Sequence, residues 1–173
     1  HNPFGVLGIY SLTPRQFSTA EVEFLTVASH ILAATIDRQE YEERLQLLER
    51  AFDASSNGIL ITDAIATSNP IVYANQGFER ITGFSKGDAL EHNCRFLQKE
   101  GSDPEQHHQI QQIRTAIAKG EACEVVLKNY RKDGSLFWNH LHISPVHNQQ
   151  NCLVNFIGIQ TDVTEQKLAA EHL

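Results

Sequence analysis

The 173-residue chain has no apolar run close to the roughly 18 residues that a membrane span requires, and no basic-then-apolar signal peptide opens it. Its 14 basic residues form no stripe and are outnumbered by 21 acidic ones, which argues against a nucleic-acid surface. From these absences we predict a cytoplasmic protein that binds neither membrane nor nucleic acid.

Cysteine is scarce as well. Cys94, Cys123 and Cys152 are an odd number without short paired spacings, which argues against a disulfide framework or a zinc site and suits a reducing compartment. None of the nine histidines is joined by a carboxylate or cysteine at a familiar ligand spacing, so we predict no metal site. The chain also lacks an initiating methionine and opens in an apparent strand, so we expect a piece of a longer protein.

The first third of the sequence predicts a short strand and a long helix. Residues 5–11 (GVLGIYS) have strand character, and Ser18 or Thr19 offers an N-cap to a helix that nothing interrupts up to residue 52. Heptad seam positions along this helix are Phe24, Val27, Ile31, Ala34, Arg38, Tyr41, Leu45, Leu48 and Phe52. A single charge in that seam favours a two-stranded coiled coil, and the alternative is a single helix packed on its own domain.

A compact alternation of strands and helices follows from residue 54. Strands are predicted at 58–62, 71–74, 124–130, 136–146 and 153–161, and helices at 76–82, 86–90 and 105–119, the last closed by Gly120. Asp133 and Gly134 supply a hairpin turn, and the chain becomes helical again after residue 164. The predicted fold is therefore α+β, a five-stranded antiparallel sheet with short helices on one side and a helix at each end.

Three amides fall on the predicted inner face of this sheet. Alternation places Asn129, Asn139 and Gln160 among apolar neighbours, and opposed pairing about the hairpin turn brings Asn129 beside Asn139. Buried amides need hydrogen-bond partners, and Asn and Gln both donate and accept. An apolar concave face with three such groups predicts a pocket for a flat heterocycle carrying carbonyls and ring nitrogens.

Five motifs in order carry a family resemblance: NCRFLQ at 93–98, IRTAI at 113–117, NYRKDG at 129–134, FWN at 137–139 and FIGIQTDVT at 156–164. Residues 54–164 thereby resemble the LOV (light-oxygen-voltage) domains, the flavin-binding photosensory branch of the PAS superfamily. Residues 1–38 resemble the end of a GAF domain, 21–53 would be a linker helix, and 165–173 resemble the start of a signalling helix. Such an order is typical of a multidomain bacterial sensor, for example a sensor kinase.

The resemblance implies a role for each matching residue. Cys94 matches the photoactive cysteine, and Gln160 matches the glutamine that switches beside a ring nitrogen. Asn93 and Gln98 match contacts to the ribityl chain or ring edge, Arg95 and Arg114 a phosphate clamp, and Asn129 and Asn139 the pyrimidine edge. The remaining pocket wall corresponds to Leu60, Thr62, Asn75, Leu97, Leu141, Ile143 and Phe156. Asp88 and Lys132 match a surface ion pair.

Two departures from the family pattern stand out. Glu91 occupies a position, three residues before the cysteine, that usually holds glycine. The segment between Cys94 and Arg114 is a few residues longer than is common, an insertion whose modest length fits FMN better than FAD.

The expected function is that of a blue-light photoreceptor domain. It would bind FMN in the dark, form a reversible bond at Cys94 in light, and pass a signal through Gln160 to flanking helices and a downstream effector. We expect a homodimer through the linker helix and no enzyme within the chain, because no G-x-G-x-x-G motif or activated nucleophile accompanies the pocket. The alternative is a redox-sensing or dimerisation PAS module that binds flavin.

Overall fold

The computed structural model describes residues 5–8, 10–98 and 106–171. Contacts between Cα atoms divide the chain into two compact units, His1–Leu48 and Glu49–Leu173. One helix, α1 (Thr19–Ala54), has residues in both units.

The first unit consists of an extended segment and most of α1. Ser18 Oγ accepts from the Glu21 amide at 3.3 Å, and Glu21 Oε2 accepts from the Ser18 amide at 2.8 Å, a capping box that also lowers the pKa of Glu21. The strand predicted at 5–11 is wrong, because the described residues there form no strand and are exposed. A strand needs a neighbour to pair its amides and carbonyls, and the described part of this unit contains no second strand.

The helix α1 exposes all nine predicted seam positions. Its most apolar 18-residue window has a mean hydropathy of 1.2, so length and composition alone would let α1 cross a membrane. This corrects the expectation that no segment would meet that test, although core helices of soluble proteins meet it too. The GAF resemblance of residues 1–38 stays a prediction, and so does the cytoplasmic location.

The second unit is a five-stranded antiparallel sheet in the order β2-β1-β5-β4-β3. The strands are β1 (Gly58–Asp63), β2 (Ile71–Ala74), β3 (Cys123–Tyr130), β4 (Leu136–His147) and β5 (Leu153–Asp162). The helices are α2 (Gln76–Thr82), α3 (Lys86–Ala89), a 3₁₀ turn η1 (Cys94–Leu97), α4 (His107–Lys119) and α5 (Thr164–Glu171). The predicted fold class is confirmed. Residue 105, the predicted start of α4, lies outside the described residues.

The pairing of β3 with β4 differs in register from the predicted pairing. The Arg131 amide donates to Ser135 O at 2.8 Å, which closes a three-residue loop with Gly134 at φ 84°. Asn129 therefore lies opposite Phe137, and Leu127 lies opposite Asn139. The predicted face assignment is correct, but the two asparagines are diagonal neighbours rather than direct partners.

The apolar core has two parts, both on the inner face of the sheet. One cluster joins α4 to β3, β4 and β5, with Ile113, Leu127 and Phe156 among its buried members. The other joins β1 and β2 to the short helices, with Leu60, Phe78 and Leu97. Gly120, at φ 68°, caps α4 as predicted.

Candidate functional site

Three buried amides lie on the inner face of neighbouring strands. Asn129, Asn139 and Gln160 are 3%, 0% and 2% exposed. Asn139 Nδ2 donates to Asn129 Oδ1 at 2.8 Å, and Asn129 Nδ2 donates to Lys128 O at 3.1 Å. Asn139 Oδ1 and Gln160 Oε1 are buried without a hydrogen-bond partner within the described part of the chain. Each of these two buried oxygens could therefore accept a hydrogen bond from a ligand.

Apolar side chains surround these amides. Gln160 pairs with Leu141 on one side and with Gly58 on the other, so it has apolar neighbours on both adjoining strands. The predicted wall residues on the inner face are Leu60, Thr62, Leu141, Ile143 and Phe156, and Leu97 lies on η1. All are buried except Leu141, which is half-buried. The sheet and η1 therefore form an apolar surface with a polar strip across it.

Cys94 begins the η1 turn and packs, with Phe84 and Phe96, against the second core cluster. The residue is only partly buried, but desolvation of the thiol raises its pKa to about 12. A thiol with this pKa stays protonated and unreactive at neutral pH, so Cys94 is not an activated nucleophile of the hydrolytic kind.

Asn93 and Asn75 use their amides on the protein itself. Asn93 Oδ1 accepts from the Arg95 amide at 3.0 Å and its Nδ2 donates to Ser68 O, which caps η1 and anchors it. Asn75 caps α2, and all of its donors and acceptors bond to backbone groups. Both residues shape the surroundings of the pocket. The Asn75 amide bonds within the protein, and its place in the pocket wall stays a prediction.

Two arginines and a glutamine complete the predicted set. Arg95, on η1, and Arg114, on α4, are exposed, and neither has a carboxylate within ion-pair distance in residues 5–8, 10–98 and 106–171. Gln98 ends η1 and is half-buried. No carboxylate of the described residues therefore neutralises either guanidinium group.

The expected surface ion pair is present. Lys132 Nζ lies 2.6 Å from Asp88 Oδ2 and joins the β3–β4 turn to α3. Together with a hydrogen bond from Ser85, it lowers the pKa of Asp88 to about 2.

Sequence reasoning missed a cluster at the end of β5. Arg131 Nη2 lies 2.6 Å from Asp162 Oδ2, while Asp162 Oδ1 accepts from the Thr164 amide at 3.0 Å. Thr164 Oγ1 in turn accepts from the Trp138 amide at 2.9 Å. Burial raises the pKa of Asp162, but the bonds from Thr164 and Arg131 outweigh it and leave that pKa below its ordinary value. These bonds fasten the start of α5 to the sheet.

Sequence reasoning also missed Gln106. It is 6% exposed, and its Oε1 accepts from the Lys128 amide at 2.7 Å. The bond ties the start of α4 to β3 next to Asn129. Only the DVT sequence at 162–164 hinted at either feature, because both depend on contacts between residues far apart in the chain.

Within the described residues, no three His, Cys, Asp or Glu side chains come close enough together to hold a metal ion. His140 Nε2 lies 2.7 Å from Glu124 Oε1 on the sheet, a pair rather than a ligand set.

Comparison with known proteins identifies the fold. A family model described as a PAS domain matches residues 56–165. A blue-light photoreceptor of Listeria monocytogenes is 43% identical over 123 residues, which are 71% of this chain and 47% of that protein. A blue-light-activated histidine kinase of Brucella abortus is 43% identical over 106 residues, 61% of this chain and 21% of the kinase. The chain thus spans less than half the length of these relatives.

Solved structures agree with this assignment. The LOV domain of a blue-light activated histidine kinase from Erythrobacter litoralis is 37% identical, with a TM-score of 0.57, over 62% of this chain and 95% of that domain. An RNA-binding light-oxygen-voltage receptor is 45% identical, with a TM-score of 0.65, over 70% of this chain and 33% of the receptor. The chain belongs to the PAS domain family and, within it, to the LOV domains.

Proposed function

We propose that this LOV domain is a blue-light sensor that binds FMN non-covalently in the dark and bonds to it reversibly through Cys94 on illumination. The observation that carries the proposal is the pair of buried, unpartnered oxygens of Asn139 and Gln160 on one sheet face. Leaving such an atom unpaired costs about 1–3 kcal/mol, so a ligand that donates there is favoured. The pyrimidine edge of a flavin carries an N–H flanked by carbonyls, which suits amides that both accept and donate.

The residues around these oxygens fit the rest of a flavin. Asn129 and Asn139 would hold the pyrimidine edge, and Gln160 would lie beside the ring nitrogens. The apolar faces of the ring would rest against Leu60, Thr62, Leu97, Leu141, Ile143 and Phe156. Gln98 would contact the ribityl chain or ring edge, with Asn93 holding η1 in place through its cap.

Arg95 and Arg114 favour a phosphate at the end of the ribityl chain. Guanidinium groups bind phosphate through paired hydrogen bonds, and neither arginine is engaged by a carboxylate among the described residues. Among residues 5–8, 10–98 and 106–171 we identify no group that recognises adenine, so we propose FMN rather than FAD.

Cys94 would supply the light-dependent bond. Its thiol keeps its proton in the dark at neutral pH, because burial raises its pKa to about 12. In light, a bound flavin would supply a ring nitrogen able to take that proton and an adjacent carbon able to bond to sulfur. Cys94 Sγ would then exchange its bond to hydrogen for a bond to that carbon while the proton moves to the nitrogen, so no outside oxidant or reductant would be consumed.

Gln160 would convert this change into a structural signal. Its amide can turn to present either its oxygen or its nitrogen when the neighbouring ring nitrogen changes from acceptor to donor. Two residues after Gln160, β5 ends at Asp162, whose carboxylate accepts a hydrogen bond from the Thr164 amide at the start of α5. A local change of hydrogen bonding can thus bias the arrangement of the exit helix.

The output is proposed to lie elsewhere in a longer protein. The Brucella relatives are blue-light-activated histidine kinases, of which this chain covers 21%. We infer that the chain is a sensory module without catalysis of its own, that it acts as a homodimer through α1, and that it binds no nucleic acid.

An absorption spectrum before and after a blue flash tests the proposal. The purified chain should show a flavin spectrum that bleaches in light and recovers in darkness, and the released cofactor should be mainly FMN by mass spectrometry. Cys94→Ala should keep the flavin and lose the bleaching, while Cys152→Ala, which removes an exposed thiol, should behave like the parent. Flavin binding with unchanged bleaching in Cys94→Ala would favour a redox-sensing module, and a chain without flavin would favour a dimerisation module.

A further inference from the structure

Asn75 joins two parts of the second unit through a single side chain. Its Oδ1 accepts from the Ile59 amide at 2.7 Å and the Phe78 amide at 2.9 Å. Its Nδ2 donates to Phe52 O at 2.6 Å and to Asn57 O at 3.1 Å. The side-chain oxygen therefore bonds to β1 and α2, and the side-chain nitrogen bonds to the last turn of α1 and to the residue before β1.

Further bonds fasten the same turn. The Gln76 amide donates to Asp53 Oδ1 at 2.8 Å, and Lys86 Nζ lies 3.5 Å from the same atom. Arg80 Nη2 donates to Ser55 O at 2.6 Å and to Asp53 O at 3.2 Å. The last carbonyls of a helix have no partner within the helix, and here the side chains of Asn75 and Arg80 donate to two of them.

The joint also reaches the strand that carries Gln160. Gly58 pairs directly with Gln160, and the preceding residue, Asn57, accepts through Oδ1 from Thr161 Oγ1 at 3.2 Å. The Asn57 carbonyl is held closely against α2, since a Cβ on Gly77 would come within 2.0 Å of it. A movement of β5 at residues 160–161 therefore acts on Asn57, and Asn57 is bonded to Asn75.

We propose that Asn75 is a positioning residue that relays the state of Gln160 to the end of α1, which gives the sensor a second output besides α5. The inference rests on the proposed function, because it requires a light-driven change at Gln160. The relay consists of hydrogen bonds in series, from Thr161 through Asn57 and Asn75 to the Phe52 carbonyl. A change in the hydrogen bond to this carbonyl would displace the last turn of α1, because that turn has the fewest backbone hydrogen bonds of its own.

Asn75→Asp separates the two halves of the amide. The carboxylate keeps both acceptor bonds, to Ile59 and Phe78, but has no hydrogens for Phe52 O and Asn57 O. Hydrogen exchange of the full chain, measured in light and in darkness, should show a light-dependent change at residues 49–56 in the parent. In Asn75→Asp this change should fall at least fivefold relative to the light-dependent change at α5 in the same variant.

Asn155→Asp is the matched control. It makes the same chemical change and removes one donor bond, from Asn155 Nδ2 to Thr62 O at 3.1 Å, at the far end of the β1–β5 pairing. It should retain the light-dependent change at 49–56. Asp53→Ala weakens the joint from the helix side and leaves Asn75 and its bonds to Ile59 and Phe78 unchanged, and it should also diminish that change.

The outcomes separate the two proposals. A parent that does not bleach would refute the proposed function. A parent that bleaches without any change at 49–56, or an Asn75→Asp variant that keeps the change, would refute the relay alone. If Asn75→Asp does not retain flavin, Asp53→Ala decides, because an undiminished change in that variant would equally refute the relay.

Discussion

Gln160 lies directly opposite Gly58 in the antiparallel pairing of β5 with β1. A Cβ on Gly58 would come 3.4 Å from Gln160 Cβ and 3.1 Å from Phe78 Cα, so any larger residue would crowd both strand and helix. Glycine at this position leaves the flank of Gln160 open. The buried Oε1 of Gln160 has no partner within the described residues, so no hydrogen bond to this oxygen holds the amide in one orientation there.

Gln160→Leu should separate the photochemistry from the structural response. The leucine fills a similar volume but cannot donate or accept, so we expect bleaching to remain and the light-dependent hydrogen exchange of α5 to fall. In the flavin-free chain the same change should raise the free energy of unfolding by about 1 kcal/mol, because it removes a buried oxygen without a partner. A variant whose α5 responds to light as the parent's does would place the signal on another route.

Glu91→Gly should stabilise the domain. Glu91 adopts φ 65°, the left-handed conformation, while its amide donates to Ile71 O at 2.9 Å. This conformation costs a non-glycine residue about 1–2 kcal/mol, partly offset by the greater freedom of glycine in the unfolded chain. We expect urea unfolding to show a gain of about 0.5–1 kcal/mol. Glu91→Ala keeps the unfavourable φ and should show no such gain, and a glycine variant weaker than the parent would contradict the explanation.

Local patterns were enough to predict most of the second unit. β2 and α2 have the predicted bounds, and the other strands agree to within a residue or so, because alternation and turn residues mark them strongly. The prediction of a strand at 5–11 was wrong because apolar composition cannot show whether a pairing partner exists. The predicted register of the hairpin was wrong because the register depends on which residues close the loop, here Arg131 and Ser135.

The site was predictable where a residue's face determines its neighbours. Asn129, Asn139 and Gln160 follow from the period of two along a strand. The hydrogen-bond partners did not follow, because they are backbone groups distant in sequence, such as Phe52 O for Asn75 and the Lys128 amide for Gln106. A sequence pattern therefore locates such a side chain without showing whether its bonds are already taken.

The three cysteines should differ in reactivity. Burial raises the pKa of Cys94 to about 12 and also raises that of Cys123, whereas Cys152 is exposed. Since the thiolate is the reactive form, iodoacetamide at pH 8.5 should modify Cys152 on the order of 100-fold faster than Cys94 in the dark, flavin-free chain. Peptide mass spectrometry measures the rates, and unfolding in urea should remove the difference. Equal rates in the folded chain would show that Cys94 is not desolvated.

The same pKa predicts how stability changes at alkaline pH. Between about pH 9 and 12 the unfolded chain releases the Cys94 proton while the folded chain retains it, so the free energy of unfolding falls as pH rises. One unit above the unfolded pKa this loss is about 1.4 kcal/mol. Cys94→Ala lacks this loss, so the parent should weaken more than the variant between pH 8 and pH 10 in urea unfolding. Parallel curves would contradict the raised pKa.

The helix α1 should hold two chains together. Tyr41, Leu45 and Leu48, in its more polar second half, are 65%, 47% and 48% exposed on one heptad seam. Two facing seams would bury these side chains, and Arg38 at an a position would favour a defined register at some cost in stability. We predict a parallel homodimer, in which the two α1 helices lead into their sensory units at the same end of the pair.

Leu45→Glu with Leu48→Glu tests this seam. The two substitutions place like charges across adjacent layers, so light scattering should report a monomer that still binds flavin. Gln46→Glu with Leu47→Glu adds the same charge on the opposite side of the helix, where Leu47 is 65% exposed, and should leave the dimer intact. A monomeric parent, or a double seam variant that remains dimeric, would show that α1 does not drive association. Loss of the dimer in both pairs would instead implicate net charge rather than the seam.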